Sequence, residues 1–335
     1  MSLVSKYMRA AIAPFARDLE ALVQRSMAGN RQQVESLAVL AGRIQATANA
    51  ERVPFARLSD AEFKVFSQYG EDGILQYLIR EAGITREESV FIEFGVQNYL
   101  ESCTRFLMVN DHWRGLILDG SKEYMDFVRN DDMYWRHDVT AVNAWIDRDN
   151  VNDLFRKAGF VGDIGVLVID IDGNDYWVWE RIDAVSPAIV VVEWNSVFGP
   201  DHAVSVPYDP KFERAEAHYS NLFWGASITA FEHLGAQKGY SLVGSNAVGN
   251  NIFLVRNDRL GRVKPLSARE AWVDSRFRDS RDKNGQLNFL GGASRRLEIL
   301  DVPLIDVIGG NQTTLRRLDE ATLQPSSPDD GTPNR

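Results

Sequence analysis

Short apolar runs recur along the middle of the chain, and each ends at or next to an acidic residue. Amphipathic stretches with helical spacing separate these runs. Strands that are buried on both faces of a parallel sheet have this composition, and the helices between them supply the crossovers. The pattern predicts an α/β fold whose mostly parallel sheet has strands at 90–94, 115–119, 134–138, 165–170 and 188–193, of which 134–138 is the weakest.

The pattern changes after the last of these strands. Residues 194–224 are typical of a loop, with several prolines and many aromatic residues, and a helix is predicted near 226–238. Two further strands, at 240–244 and 251–256, are joined by a short turn. A short connection fits an antiparallel pair, because parallel neighbours need a long crossover. The predicted sheet therefore ends in an antiparallel hairpin.

Segments outside the sheet complete the predicted organisation. Residues 1–55 form an N-terminal helical arm with two apolar stripes, which pack on the domain or join a second copy in a homo-oligomer. Residues 56–258 hold the sheet, and residues 259–322 form a polar and basic C-terminal extension. The segment 323–335 is rich in Pro, Ser, Asp and Gly, which is typical of disorder. The stripes are Leu19, Leu22, Val23 and Met27, then Val34, Leu37, Leu40, Ala41 and Ile44.

Composition excludes several classes of protein. The 335 residues are 44% hydrophobic and 25% charged, which is ordinary for a soluble globular protein. The formal net charge of -10 argues against a nucleic-acid partner held by phosphate neutralisation. No apolar run is long enough to span a membrane. Cys103 is the only cysteine, so no intrachain disulfide can form, and a cytoplasmic protein is expected.

The first strand lies in the most informative stretch, Val90-Phe-Ile-Glu-Phe-Gly-Val-Gln-Asn98. Glu93 and Gly95 stand where the carboxyl end of a strand opens a crevice in an α/β sheet, and a glycine lets a ligand approach the backbone. The following strands also end in acids, at Asp119, Asp138, Asp170 and Glu193. The sequence therefore predicts a crevice for a nucleotide-like ligand at this edge of the sheet.

Parallel strands that end in an antiparallel hairpin resemble the class I S-adenosylmethionine-dependent methyltransferases. Within that class the chain resembles the FkbM-type methyltransferases over about residues 66–257. Segment 168–175, Val-Ile-Asp-Ile-Asp-Gly-Asn-Asp, is similar to the family's signature of a hydrophobic residue followed by Asp-Val-Glu-Gly-His-Glu. Asp170 and Gly173 match directly, whereas Asn174 replaces the histidine. The resemblance implies a Rossmann-like fold and methyl transfer to a hydroxyl of a small molecule or glycan, such as a saccharide or glycoconjugate.

The resemblance also implies S-adenosyl-L-methionine as the cofactor, and the strand ends suit its adenosine. Ribose hydroxyls are donors, so the carboxylate of Asp119 suits them, and Ser121 stands beside it at the start of a helix. The adenine amino group is a donor as well, and Asp138 can accept from it. The alternative is that Asp119 and Asp138 only cap helices.

The methionine end of the cofactor needs partners nearer the first strand. Gly95 lines the floor of the crevice, although the family usually shows more glycines there. Glu93 or Asp170 could face the ammonium group. Gln68 joins this set because Ser67-Gln-Tyr-Gly-Glu-Asp72 resembles a stretch found in relatives of the family.

A neutral hydroxyl is a weak nucleophile, so methyl transfer gains from positioning and from a general base. Carboxylates at Asp170 and Asp172 could take the proton. His202 and His218, in the loop after the fifth strand, are further candidates because histidine titrates near neutral pH. The alternative is that Asp172 caps the next helix and that both histidines are inert loop residues.

A divalent cation could replace the base by polarising the hydroxyl. Acidic and amide oxygens at the ends of two adjacent strands suit Mg²⁺ or another hard cation. Resemblance to metal-dependent sugar and catechol methyltransferases implies a set made of Asp170, Glu193 and Asn195. The alternative is that Asn195 caps a turn.

Two other functions stay open at this point. The first is a nucleotide-sugar or NAD-dependent oxidoreductase on a related sheet, against which stand the missing G-x-G-x-x-G turn and the terminal hairpin. The second is a catalytically silent protein that keeps the methyltransferase fold and recruits partners through its arm and tail. The sequence does not name the acceptor.

Overall fold

The computed structural model describes residues 29 and 31–323. In this part of the chain the strands are β1 Val90–Phe94, β2 Arg114–Asp119, β3 Val139–Asn143, β4 Gly162–Ile169, β5 Val185–Glu193, β6 Val204–Ser205, β7 Tyr240–Ser245, β8 Asn251–Arg256, β9 Leu304–Asp306 and β10 Asn311–Thr313. Seven of them form the main sheet, in the order β3-β2-β1-β4-β5-β8-β7, and the short strands form a second sheet, in the order β10-β9-β6.

The pairing within the main sheet follows the predicted arrangement. β1 pairs in parallel with β2 and β4, and the parallel pairing continues outward to β3 and β5. β8 lies antiparallel between β5 and β7. The predicted mostly parallel sheet with a terminal antiparallel hairpin is therefore confirmed.

Helices cover both faces of the main sheet. α2, α3 and α4 bury apolar residues on one face, and α6, α7 and α9 bury theirs on the other. The central strands are consequently apolar on both sides, as their composition predicts. The helices are α1 over 31–52, α2 Glu71–Ala82, α3 Arg105–Asp111, α4 Lys122–Asn130, α5 Asp132–Arg136, α6 Val151–Ala158, α7 Asp175–Arg181, α8 Arg214–Ala217, α9 Ile228–Lys238, α10 Ala268–Ala271, α11 Ala293–Glu298 and α12 Leu315–Leu323.

The prediction of a strand at 134–138 is wrong. Most of this stretch belongs to α5, because the side chain of Asp131 caps that helix by accepting from Met133 N at 2.9 Å. The third strand starts one residue later, at Val139. Asp138 therefore precedes β3, where its carbonyl oxygen accepts from Gly115 N, and it lies at the amino end of the strands rather than the carboxyl end.

α1 packs on the domain through only one face. Val39 contacts a small cluster with Phe66 and Phe106, and a Cβ at Gly42 would lie 2.6 Å from Val65. The second predicted stripe lies on the opposite face and is uncovered in the described part of the chain, at Val34, Leu37, Leu40, Ala41 and Ile44. The first stripe, at 19–27, falls outside the described residues.

The C-terminal extension is joined to the core. Val263, Ala268 and Ala271 are buried in the clusters that cover the main sheet, and β9 pairs with β6. The predicted disordered tail lies outside the described residues from 324 onward. Among residues 31–323, none of the helices has both the length and the apolar character that crossing a bilayer demands.

Candidate active site

The parallel register brings the predicted strand ends together. Phe94 stands beside Leu118 on one side and Ile169 on the other, and Ile169 stands beside Val192. The residues that follow these positions therefore share one edge of the sheet. They include Gly95, Asp119, Asp170 and Glu193.

Gly95 makes the turn that leaves β1. Its φ is +78°, and a Cβ built on it would lie 1.5 Å from the carbonyl oxygen of Asp170. Its N–H donates to Leu118 O at 3.1 Å. The close approach of β4 is therefore enough to require glycine here, whether or not a ligand also approaches this backbone.

Asp119 holds the neighbouring loops in place at the end of β2. One carboxylate oxygen accepts from Gln97 N at 2.8 Å and the other from Ser121 N at 2.7 Å. Ser121 also caps α4 by accepting from Tyr124 N at 3.3 Å. A carboxylate has about four acceptor sites, so Asp119 keeps capacity for two ligand hydroxyls.

The carboxyl end of β3 carries residues that the sequence reasoning missed. Asn143 donates to the carbonyl oxygens of Asp119 and Gly120, at 3.0 and 2.9 Å. Trp145 follows it, is 53% exposed, and would lie 3.0 Å from a Cβ at Gly120. With Asp138 at the opposite edge, Asn143 and Trp145 are the residues near Asp119 that could meet an adenine. The alternation of apolar and polar residues in Val139–Asn143 is the sequence signal that could have placed the third strand here.

Glu93 is directed into the protein. Its carboxylate accepts from Cys103 N at 2.9 Å, from Thr104 N at 3.0 Å, and from the hydroxyls of Ser102 and Thr104. Burial raises the pKa of this carboxyl, and the hydrogen bonds partly oppose the shift. Because these bonds occupy both oxygens, Asp170 is the better placed of the two candidates for a ligand's ammonium group.

The stretch 67–72 joins the N-terminal segment to the terminal hairpin. Asp72 accepts from the backbone N–H groups of residues 65–67, and burial raises its pKa to about 6. Glu71 accepts from Asn246 at 2.6 Å and from Asn251 at 3.1 Å. Gln68 is exposed, and its side-chain oxygen lies 3.5 Å from Asn250 Nδ2. Most of this motif is thus structural, with Gln68 the member that faces outward.

Asp170 and Glu193 form a carboxyl pair on adjacent strands. Burial raises the pKa of both carboxyls well above the ordinary range, and repulsion adds to it, from Asp172 and Asp175 at Asp170 and from Asp170 at Glu193. Burial and the neighbouring acids therefore favour the protonated form of each carboxyl. Glu193 Oε2 is buried and finds no partner among the described residues.

Asp172 stands at the rim beside a cation that the sequence reasoning did not identify. It adopts φ +56°, and its carboxylate pairs with Arg214 Nη1 at 2.9 Å. Arg214 also pairs with Asp279 and lies over the ring of Trp224, with its guanidinium 4.4 Å from the ring centroid. Asp279 comes from the C-terminal extension, so long-range packing alone brings it here.

The predicted metal set of Asp170, Glu193 and Asn195 stays a prediction. Asn195 uses its amide to hold a loop, accepting from Val197 N at 3.1 Å and donating to the carbonyl oxygens of Leu222 and Trp224, both at 2.9 Å. Asn195 thus caps a turn, which is the alternative to a metal ligand that the sequence left open. Among residues 31–323, no group of three or more His, Cys, Asp or Glu is arranged to hold a metal ion.

The two candidate histidines have partners elsewhere. His202 Nε2 lies 3.2 Å from a carboxylate oxygen of Asp319. His218 Nδ1 lies 2.7 Å from the hydroxyl of Ser220, and burial lowers the pKa of this histidine. A small cavity at the carboxyl end of β5 is lined by Glu193, Trp194 and Arg214 among others, and neither histidine lines it. Asp170 does not line this cavity either, although it interacts with Glu193, which does.

The strand order, with β8 antiparallel between β5 and β7, is the class I methyltransferase fold. A scan against models of protein families finds no match, and a search of curated proteins finds none either. This chain is similar to solved methyltransferase structures over part of its length.

One similar structure is an O-methyltransferase from Bacillus cereus in complex with SAH, at 12% identity and a TM-score of 0.34, with 65% of this chain and 90% of that chain covered. Another is a putative O-methyltransferase from Klebsiella pneumoniae, at 12% identity and a TM-score of 0.37, with 64% and 96% covered. A third is TrmK from M. capricolum with S-adenosyl-homocysteine, at 8% identity and a TM-score of 0.32, with 54% and 68% covered. The fold class rests on the strand order and register of the chain itself.

Proposed function

We propose that this protein is an S-adenosylmethionine-dependent methyltransferase. The observation that carries the proposal is the meeting, at one edge of a sheet with class I strand order, of the Gly95 turn, the Asp119 carboxylate and the Asp170–Glu193 pair. In open α/β sheets, ligands bind in the crevice outside the carboxyl ends of the strands. An adenosyl sulfonium compound has parts of different chemistry, and each of these residues can suit a different part.

Each part of the cofactor has a residue to hold it. Asp119 would accept from the ribose hydroxyls with its unused acceptor sites, and Trp145 would stack on the adenine. Asp170 would meet the ammonium group, near the exposed backbone of Gly95. The cofactor supplies a methyl group on a positively charged sulfur, which is already activated for displacement.

The finer proposal is an O-methyltransferase of the FkbM type that acts on a hydroxyl, for which a saccharide or glycoconjugate is the acceptor implied by the sequence resemblance. Glu193 would take the hydroxyl proton while the oxygen forms its bond to the methyl carbon, because the ammonium group beside Asp170 would favour the ionised forms of these two carboxyls. The electron pair of the broken carbon–sulfur bond stays on sulfur. A general base of this kind contributes about 10²–10⁴-fold.

A proton-transfer route fits these residues better than a metal route. Arg214 already supplies a positive charge among Asp172, Asp279 and Glu193, and the Asn195 amide is occupied. Methyl transfer from labelled cofactor into a cell extract should therefore proceed equally with and without EDTA. Loss of transfer in EDTA, restored by Mg²⁺, would return the metal to the mechanism.

Calorimetry tests the proposed function directly. S-adenosyl-homocysteine, the demethylated product, should bind, whereas NAD should not. Binding of NAD alone would favour an oxidoreductase, and binding of neither compound would favour a catalytically silent protein. Asp170→Asn should then reduce turnover more than it reduces binding of the demethylated product.

A further inference from the structure

The C-terminal extension carries a small hairpin at its surface. Residues 280–289, which we call the extension hairpin, fold back on themselves, and an antiparallel bridge joins Arg281 to Leu287. Asp282 N donates to Gln286 O at 2.8 Å and closes the turn. The extension hairpin is thus held in shape by its own backbone hydrogen bonds.

Contacts on its N-terminal side join the extension hairpin to the rim of the crevice. Asp279, the residue just before it, pairs with Arg214, which also pairs with Asp172 in the loop after β4. Arg281 N donates to Ser220 O at 3.1 Å. The extension hairpin therefore lies at the same edge of the main sheet as the crevice.

Two apolar side chains of the extension hairpin face solvent. Leu287 and Phe289, two positions apart, are 46% and 58% exposed. The ring of Tyr219 lies beside them on the surface, with Lys283 Nζ 5.8 Å from its centre. Exposed apolar residues that lie close together mark a surface that contacts a partner.

Basic side chains surround these apolar ones. Arg278, Arg281 and Lys283 are exposed, and none of them forms an ion pair within residues 31–323. Of the two acids in the same stretch, Asp279 is already paired, and Asp282 accepts from two N–H groups of the turn, at 2.8 and 3.0 Å. The extension hairpin is therefore locally positive, although the whole chain has a formal net charge of -10.

We propose that the extension hairpin docks on the surface of a lipid bilayer that carries anionic headgroups. Leu287 and Phe289 would enter the boundary between headgroups and acyl chains, and the three basic residues would meet the headgroup phosphates. Phe and Leu beside Lys and Arg suit this boundary, where burial of apolar area and attraction to anionic lipids add together. Docking would place the crevice next to the bilayer, which goes beyond methyl transfer and does not depend on it.

Charge favours a bilayer over the other partners that this surface could meet. The buried centres of protein–protein interfaces are depleted in charged residues, whereas cations stand among the apolar side chains here. A soluble phosphate would satisfy the cations but would leave Leu287 and Phe289 in water. An anionic bilayer surface satisfies both kinds of side chain at once.

The test is flotation of the full chain with vesicles of phosphatidylcholine, alone or partly replaced by phosphatidylglycerol. We expect binding to the vesicles that contain phosphatidylglycerol, and we expect NaCl to weaken it because salt screens the charges. Arg281→Gln combined with Lys283→Gln should lower the partition about 25-fold, at about fivefold for each charge. Leu287→Ser combined with Phe289→Ser should lower it about tenfold or more.

Arg86→Gln and Trp135→Ser are the matched controls. Both residues are exposed, but they precede β1 and β3 and so lie at the opposite edge of the main sheet. Neither change should alter vesicle binding. Equal binding to the two kinds of vesicle, or equal losses in the control and hairpin variants, would overturn the proposal.

Two further measurements distinguish the other partners. Full competition by inorganic phosphate would show a site for a soluble anion, and a change in sedimentation without a change in vesicle binding would show a protein interface. Either result rejects docking on a bilayer. Calorimetry with S-adenosyl-homocysteine is independent of these outcomes, so a failure to bind it rejects the proposed function and leaves the docking surface in place.

Discussion

The carboxylates at the edge of the sheet differ in how many protein donors reach them. Glu93 is enclosed by the 102–104 loop, Asp119 accepts two N–H groups and remains half-buried, and Asp170 and Glu193 have pKa values that burial and neighbouring acids raise. The sequence predicted that acids would follow the strands, because the apolar runs end there. It could not assign their tasks, since the donors belong to loops whose conformation is set by distant contacts.

Asp119 is the residue that we expect to hold the cofactor's ribose. Asp119→Ala should weaken binding of S-adenosyl-homocysteine by roughly tenfold or more, about 1.4 kcal/mol, because the ribose hydroxyls lose a charged acceptor. Calorimetry measures the affinity, and circular dichroism checks that the fold is intact. Asp138→Ala is the control, since Asp138 lies at the opposite edge of the sheet and should leave the affinity unchanged. Equal effects of the two variants would remove the ribose assignment.

A second prediction concerns the buried Asp175. Burial raises the pKa of Asp175 to about 7, although its carboxylate accepts from Ile171 N and Gly173 N, each at 2.9 Å. The folded state therefore keeps a proton that the unfolded state releases near pH 4. The free energy of unfolding should accordingly fall as the pH rises from about 4 to about 7.

In Asp175→Asn this fall should become shallower, by up to about 1.4 kcal/mol per pH unit, because one proton drops out of the linkage. Urea unfolding at several pH values measures the slope. Glu123→Gln removes an exposed carboxyl on α4 and serves as the control. Parallel slopes for all three proteins would show that Asp175 does not hold the proton.

Among the secondary-structure elements, the central strands and the hairpin were predicted from apolar content to within a few residues. Strands buried on both faces leave a continuous apolar run, which is visible in a single sequence. β3 was misplaced because it is an edge strand with an alternating pattern, and the aromatic residues before it belong to α5. Residues 132–136 form a helix rather than a strand because Asp131 caps them, and the strand prediction did not take this cap into account.

The turn after β1 gives a prediction for Gly95. Gly95→Ala should lower both the free energy of unfolding and the affinity for S-adenosyl-homocysteine, because its Cβ would meet the Asp170 carbonyl oxygen in addition to a strained φ. Gly83→Ala is the matched control, since Gly83 has φ +61° and nothing lies within 4 Å of its Cβ position. The control should cost about 1–2 kcal/mol from backbone conformation alone. An equal cost for Gly95→Ala would contradict the close approach.

The uncovered face of α1 gives a prediction about self-association. Val34, Leu37, Leu40 and Ile44 are 52–67% exposed on one side of this helix. An uncovered apolar stripe on a helix favours a second copy of the chain as the partner of this face.

We accordingly expect the protein to be a dimer or larger in sedimentation experiments. The double change Leu37→Glu and Ile44→Glu should dissociate it, because charges would replace the centre of the stripe. Gln32→Glu, an exposed change away from the stripe on the same helix, should have no effect. If the protein without substitutions is a monomer, the stripe on α1 does not mediate self-association.

The C-terminal extension packs more closely on the main sheet than its polar composition indicates. Val263, Ala268 and Ala271 enter the main clusters, and the 304–313 segment pairs with β6. A polar and basic sequence conceals these few buried residues. The boundary predicted after residue 258 therefore rests on composition alone. The contacts that cross this boundary depend on long-range packing, which composition does not show.

Removal of residues 259–335 should consequently reduce the free energy of unfolding by roughly 3 kcal/mol or more, because Val263 and its neighbours would leave apolar surface exposed. Urea denaturation measures the loss. Removal of residues 324–335 alone is the control and should leave stability unchanged. A fully stable 1–258 fragment would show that the extension is independent of the sheet.

Arg214 touches acids from two regions more than a hundred positions apart, Asp172 and Asp279. One guanidinium thus neutralises the loop after β4 and a stretch of the extension at the same time. If either acid were neutralised, the guanidinium would form an ion pair with the other acid alone. A change of charge at Asp172 would therefore change the interaction of Arg214 with Asp279, which couples the rim of the crevice to the extension electrostatically.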